Sequence, residues 1–142
     1  MVGTKLCPSI GICGIPATVV GAWTPITYCF RDREEILERI RTGAGAHNFR
    51  GMGDQRRLLV TNRVADTISS IDMNEMTVLD TLRVAGGPDC MDLGADGRML
   101  WVTSRWTKRV VLVDLAERRV VRTIPVGRSP HGIYLHNRAA AI

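Results

Sequence analysis

The chain of 142 residues has little aromatic content, 5%, with only three histidines and four cysteines. No cysteines form a CxxC pair. Cys7 and Cys13 have no histidine beside them and lack the close paired spacing of a structural zinc site, so no metal or other cofactor is assigned. Free thiols are the plain expectation for Cys7, Cys13, Cys29 and Cys90, since a disulfide would require export. The apolar stretch from Ile10 to Trp23 is broken by Gly11, Gly14, Pro16 and Gly21, and only Lys5 precedes it as a positive charge. It is too short and interrupted to span a bilayer, and it makes a poor export signal.

Blocks of like charge are also missing. The formal net charge of +5 is spread over pairs such as Arg56-Arg57, Lys108-Arg109 and Arg118-Arg119, with no aromatics interleaved. That pattern describes a solvated face, and nucleic acid is not an expected partner. Hydrophobic residues at 45% against charged residues at 23% supply the apolar surface for one globular domain.

What the chain does have is a repeat. Leu58-Leu59-Val60-Thr61-Asn62-Arg63 returns as Leu100-Trp101-Val102-Thr103-Ser104-Arg105, an offset of about 42 residues in the range of propeller blades and solenoid units. Over 58–93 against 100–135, eleven positions are identical without a gap, among them Asp72 with Asp114, Thr81 with Thr123, Val84 with Val126 and Pro88 with Pro130. Residues 1–30 match nothing downstream and read as an irregular leader. Residues 31–142 form the repeat region, divided into a partial unit at 31–57, a repeat at 58–99, and a repeat with the start of a further unit at 100–142.

Within each unit the local chemistry points to short antiparallel strands. Asp54-Gln55-Arg56 corresponds to Asp96-Gly97-Arg98, a turn signal before an apolar strand, where glycine accommodates positive φ. Arg31 to Arg41 has helix-like spacing at Ile36, Leu37 and Ile40, yet the repeat lays Ile36 to Ile40 on the alternating Val78 to Leu82. A strand is therefore expected there, with a helix as the alternative. Val110 to Val113 is continuously apolar and suggests burial on both faces.

Val60-Thr61-Asn62, Ala95-Asp96-Gly97-Arg98, Val113-Asp114, Val121 to Gly127 and Ser129-Pro130-His131-Gly132-Ile133 resemble the YVTN-type β-propeller repeat. Leu59 and Trp101 replace its usual tyrosine, Ser104 its asparagine, and Gln55 its turn glycine. The resemblance implies an all-β fold, a partial β-propeller of four-stranded antiparallel blades. About two and a half blades are present, where a closed ring takes about four to eight. Three explanations fit: the C-terminal part of a longer propeller, which is preferred, a ring completed by self-association or a protein partner, or a decayed remnant. Relatives of this type are often exported bacterial proteins, so a periplasmic or secreted location is suggested, although the chain's own start sets no compartment.

His47, Asp89 and His131 occupy one position in successive units and are the candidate ligand-binding ring, weighed against structural turn roles. His136 stands nearby in sequence. Arg105 and Trp106 are a second candidate, since an exposed tryptophan beside arginine suits binding, although burial of Trp106 between blades is the commoner outcome. Asp72 and Asp114 are expected to accept hydrogen bonds from the turns that follow them, and Thr61, Thr103, Thr81 and Thr123 to bond between strands and lock blades. No histidine and carboxylate stand where they would activate a nucleophile, so no catalytic residue is assigned. The expected function is a non-catalytic scaffold for protein or ligand binding. The alternative is a propeller lactonase or an accessory domain of a haem or quinone oxidoreductase.

Overall fold

The computed structural model describes residues 26–31 and 35–137, and all regular structure among them is strand. In chain order these are β1 (Ile26–Arg31), β2 (Glu35–Arg41), β3 (Ala46–Gly51), β4 (Arg57–Asn62), β5 (Thr67–Asp72), β6 (Thr77–Arg83), β7 (Pro88–Leu93), β8 (Met99–Ser104), β9 (Arg109–Asp114) and β10 (Arg119–Pro125). They make one antiparallel hairpin, β1-β2, and two four-stranded antiparallel meanders, β3-β4-β5-β6 and β7-β8-β9-β10. The all-β partial propeller is thus present. Its two complete blades begin at Ala46 and Pro88, so each blade takes its innermost strand from before the Leu58 and Leu100 repeats.

The segment with helix-like spacing is β2, paired with β1 in a register where Thr27 faces Ile40. Shifted by one period, β1 and β2 fall on β5 and β6, the two outer strands of a blade. Residues 26–30, assigned to the irregular leader on sequence, therefore lie in a strand, while residues 1–25 are outside the described residues. Residues 131–135, expected to start a further unit, form no regular strand. They still run beside β7, where the Leu135 amide donates to Asp92 Oδ2 at 2.8 Å.

Alternation decides which face each residue covers. Leu58, Val60 and Ile71 point with Ala46 toward Ile40 of the hairpin, forming one core. Leu59, Ile68 and Val84 point the other way, onto Leu100, Val102 and Val113 of the next blade. A blade with a neighbour on each side is therefore buried on both faces, which is why Leu58 to Val60 is continuously apolar. Val110 to Val113 does not meet the same expectation, since Val111 and Val113 are buried but Val110 and Leu112 are only half-buried. The last blade departs from this. Trp101 and Val110, the equivalents of Leu59 and Ile68, are half-buried, and Val126 is 38% exposed where Val84 is 0%.

Carboxylates fix the corners. Asp54 Oδ1 accepts from the amides of Arg56 and Arg57 at 3.1 and 2.8 Å, and Asp96 Oδ1 from Arg98 and Met99 at 3.0 and 3.1 Å. Gly97 has φ +65°, and Gln55 holds the same left-handed conformation at +55°, at a cost glycine avoids. Asp72 and Asp114 accept from the turns after them, through Asn74 and Glu75 at 2.9 and 3.2 Å and through Ala116 and Glu117 at 2.9 and 3.0 Å. Each also meets the arginine of the preceding corner, Arg56 or Arg98, at 2.6 Å. The Arg98 hydrogen bond, helped by the Glu117 amide and opposed by burial, holds the Asp114 carboxyl down to about 2.

Two outcomes follow from these corners. Gln55→Gly relieves the left-handed strain and raises stability by about 0.5–1 kcal/mol in denaturant unfolding. An unfolded aspartate titrates near pH ~3.9, above the folded value of Asp114, so this carboxylate stabilises the fold above about pH 4 and the contribution is lost as pH falls toward about 2. Asp114→Asn is accordingly less stable than the parent at pH 7, and thermal melts at stepped pH show the gap closing as acid is added.

Candidate functional site

The innermost strands β3 and β7 and the segment after Ser129 bring residues one period apart to the same end of the propeller axis. His47 follows the buried Ala46 at the start of β3, Asp89 follows the buried Pro88 at the start of β7, and His131 follows Pro130. A proline or small residue at this entry lets the chain turn inward from the outer edge of the previous blade. The next side chain then reaches the axis. The three predicted positions do meet: their ligand atoms lie within 4.8 Å of one another.

Asp89 is the centre of this site and is completely buried. Its Oδ1 lies 3.2 Å from His47 Nδ1 and 3.9 Å from His131 Nε2. Its Oδ2 receives Arg63 at 3.4 Å and Arg105 at 3.2 Å. The two histidine rings stand edge to face, with centroids 6.1 Å apart. Burial pushes the His47 pKa below its ordinary value, with Asp89 opposing and Arg63, His131 and Arg105 reinforcing, so the ring is neutral at pH 7. His47 Nδ1 is buried and, despite its closeness to the carboxylate, has no aligned hydrogen-bond partner.

Arg105, a separate candidate beside Trp106 in the sequence, joins this cluster, its Nε donating to Ser129 Oγ at 3.0 Å and its Nη1 standing 3.2 Å from Asp89 Oδ2. Arg63 is its equivalent in the preceding unit and was recoverable by the same shift. Trp106 corrects the expectation of burial between blades: it is 55% exposed. Its ring stands over Gly87, where an added Cβ would come within 2.6 Å of it, just as one at Gly45 would come within 2.7 Å of Val64. The connection following β8 runs across the start of its own blade, so this position has no second blade to cover it. His136 is exposed and outside the cluster.

A second layer escaped the sequence reading. Arg50 and Asp92 are also one period apart, and Arg50 Nε meets Asp92 Oδ1 at 3.0 Å in a buried pair joining β3 to β7. Opposite charges at one repeat position were the available signal. Beside this pair, Thr61 Oγ1 donates to the Asp89 carbonyl at 2.8 Å, tying one blade to the next, while Thr103 Oγ1 donates within its blade to the Cys90 carbonyl at 3.1 Å. Asn62 donates to Thr67 and Ser69 at 3.1 and 2.9 Å, and Ser69 lies 3.3 Å from Thr81. Cys90 is a free thiol whose pKa is raised by burial and by Asp89. It is protonated at neutral pH and a weak nucleophile. Cys7 and Cys13 lie outside the described residues. No helix among the described residues is long and apolar enough to cross a membrane.

The model of a YNCE-like β-propeller family matches residues 27–141. No curated protein matches the chain. Among solved structures, hydrazine synthase of Kuenenia stuttgartiensis is 16% identical with a TM-score of 0.65, covering 73% of this chain and 30% of its own. Dihydro-heme d1 dehydrogenase NirN in complex with DHE is 18% identical with a TM-score of 0.63, covering 78% of this chain and 25% of its own. Virginiamycin B lyase from Staphylococcus aureus is 14% identical with a TM-score of 0.61, covering 75% of this chain and 37% of its own. The chain thus spans 25–37% of these solved chains, and at such identities the likeness concerns the fold.

Removing one member of the buried pair tests the second layer. Arg50→Leu leaves Asp92 buried without its guanidinium and costs about 3 kcal/mol in denaturant unfolding, most of which the double variant with Asp92→Leu recovers.

Proposed function

Since the chain belongs to the YNCE-like β-propeller family, we propose that it is a non-catalytic scaffold that binds protein through its last blade and a ligand at the axial cluster. The observation that carries the protein-binding part is the unequal burial of repeat-equivalent residues. Leu59, Ile68 and Val84 are covered by the next blade, whereas Trp101, Val110 and Val126 present the same apolar surface to solvent. A sheet face of this kind is stabilised by another sheet. Its occupant is a blade of a second copy, meeting it as Leu100, Val102 and Val113 meet the blade before them. The equivalent face of the first blade, Leu58, Val60 and Ile71, packs on Ile40 of the hairpin within one chain, so this contact displaces the hairpin. Such head-to-tail contact repeats around an axis and closes into a ring when the rotation permits.

The chemistry at the axis supports binding over catalysis. Asp89 is occupied by two arginines and two histidines, and neighbouring Cys90 is held as the thiol. None of these pairs a nucleophile with an aligned base. The enzymatic alternative, a lactonase or an accessory domain for a haem or quinone oxidoreductase, draws only on similarity of fold.

Light scattering across a concentration series tests the reading. The parent chain forms discrete oligomers that grow with concentration, and Val110→Glu combined with Val126→Glu shifts them to monomer. A parent that stays monomeric throughout overturns the assembly. Lactone turnover abolished by His131→Ala would support the enzymatic alternative instead.

A further inference from the structure

We infer that His47 Nδ1, Asp89 Oδ1 and His131 Nε2 form a binding site for one divalent first-row transition metal ion of the zinc type. The inference deepens the reading of the axial cluster as a ligand site and rests on it. Three observations converge. The first is the donor set: two imidazole nitrogens and one carboxylate oxygen suit zinc, cobalt or nickel, and leave a coordination position open. The second is spacing, since neighbouring ligand atoms on a tetrahedral ion with bonds of about 2.0–2.1 Å stand roughly 3.3 Å apart. His47 and Asp89 are already at 3.2 Å and His131 is at 3.9 Å from the same oxygen. The three ligand atoms spread over 4.8 Å, wider than that edge, so His131 must move toward His47 as well as Asp89. It sits on an exposed segment outside any strand, and this approach costs no core packing.

The third observation is the unpaired nitrogen. A histidine serving only to anchor Asp89 would align an N–H with the carboxylate, as buried polar groups ordinarily do. His47 Nδ1 is buried, 3.2 Å from Oδ1 and misaligned. A cation between the two atoms satisfies both at once. Division of labour on Asp89 agrees with this: Oδ1 faces the histidines, while Arg63 and Arg105 lie on Oδ2 and leave Oδ1 to the cation.

The arginines also give the inference a distinctive signature. Their positive charge opposes a cation and would favour an anion. Arg63→Gln therefore tightens metal binding several-fold, whereas it would weaken an anion site.

The test uses Co²⁺ and Zn²⁺ on the full chain, by equilibrium dialysis and by visible absorption of the cobalt form. The expected result is one ion per chain with ligand-field bands lacking thiolate charge transfer. Affinity falls by at least about tenfold in His131→Ala and in His47→Ala; the former alters an exposed side chain and serves as the fold-neutral variant. Absence of stoichiometric uptake overturns the inference, as does uptake that survives both substitutions or carries thiolate bands. Because self-association is read by light scattering on metal-free protein, loss of the metal site leaves the assembly reading standing, and the reverse holds equally.

Discussion

The contact between the two complete blades is the constraint on which the rest of the molecule depends. A four-stranded antiparallel sheet satisfies its own backbone hydrogen bonds between strands but leaves two broad faces. Here one face of the first blade closes on Leu100, Val102 and Val113, through Leu59, Ile68 and Val84. Burial of such side chains is worth about 1.5–3 kcal/mol each before chain entropy is counted. The apolar layer brings the blades together without fixing their register. Register comes from the polar contacts near the axis, where Arg50 reaches Asp92 and Thr61 reaches the Asp89 carbonyl. Buried polar groups are costly when mispaired, so these contacts penalise any slipped arrangement.

The axial cluster follows from the same placement. Repetition with a period near 42 residues puts equivalent side chains around one axis, and the inward turn at Ala46, Pro88 and Pro130 delivers the following residue there. His47, Asp89 and His131 meet because they are equivalent, yet they differ in chemistry. A repeat that kept one residue type at this position would place like groups together. Divergence of the side chain on a preserved backbone is what converts a structural turn into a mixed donor set.

Much of this was legible in the sequence. The offset between Leu58 and Leu100 identified the blades, and the shift of Ile36 to Ile40 onto Val78 to Leu82 correctly overrode a helical spacing. The meeting of His47, Asp89 and His131 was legible by the same shift. Asp72 and Asp114 behave as their places before turns require. Three features were harder to read. Trp106 looked like an inter-blade residue, but exposure depends on which connection crosses which sheet, a property of three-dimensional path. The Arg50–Asp92 pair was hidden because two opposite charges at equivalent positions look like loss of the repeat, although across an interface they are complementary. The hairpin β1-β2 lay partly in a segment without recognisable identity, since an outer strand needs only alternation and pairing to form.

Native-state hydrogen exchange measures the central claim directly, because it reports whether the two blades are one cooperative unit. If the inter-blade layer and its polar register hold the fold together, the amides of β4 and β8 open in a single event with a common free energy, and those of exposed β10 exchange earlier. Separate opening of the β3–β6 and β7–β10 sheets, each with its own free energy and denaturant dependence, would contradict it.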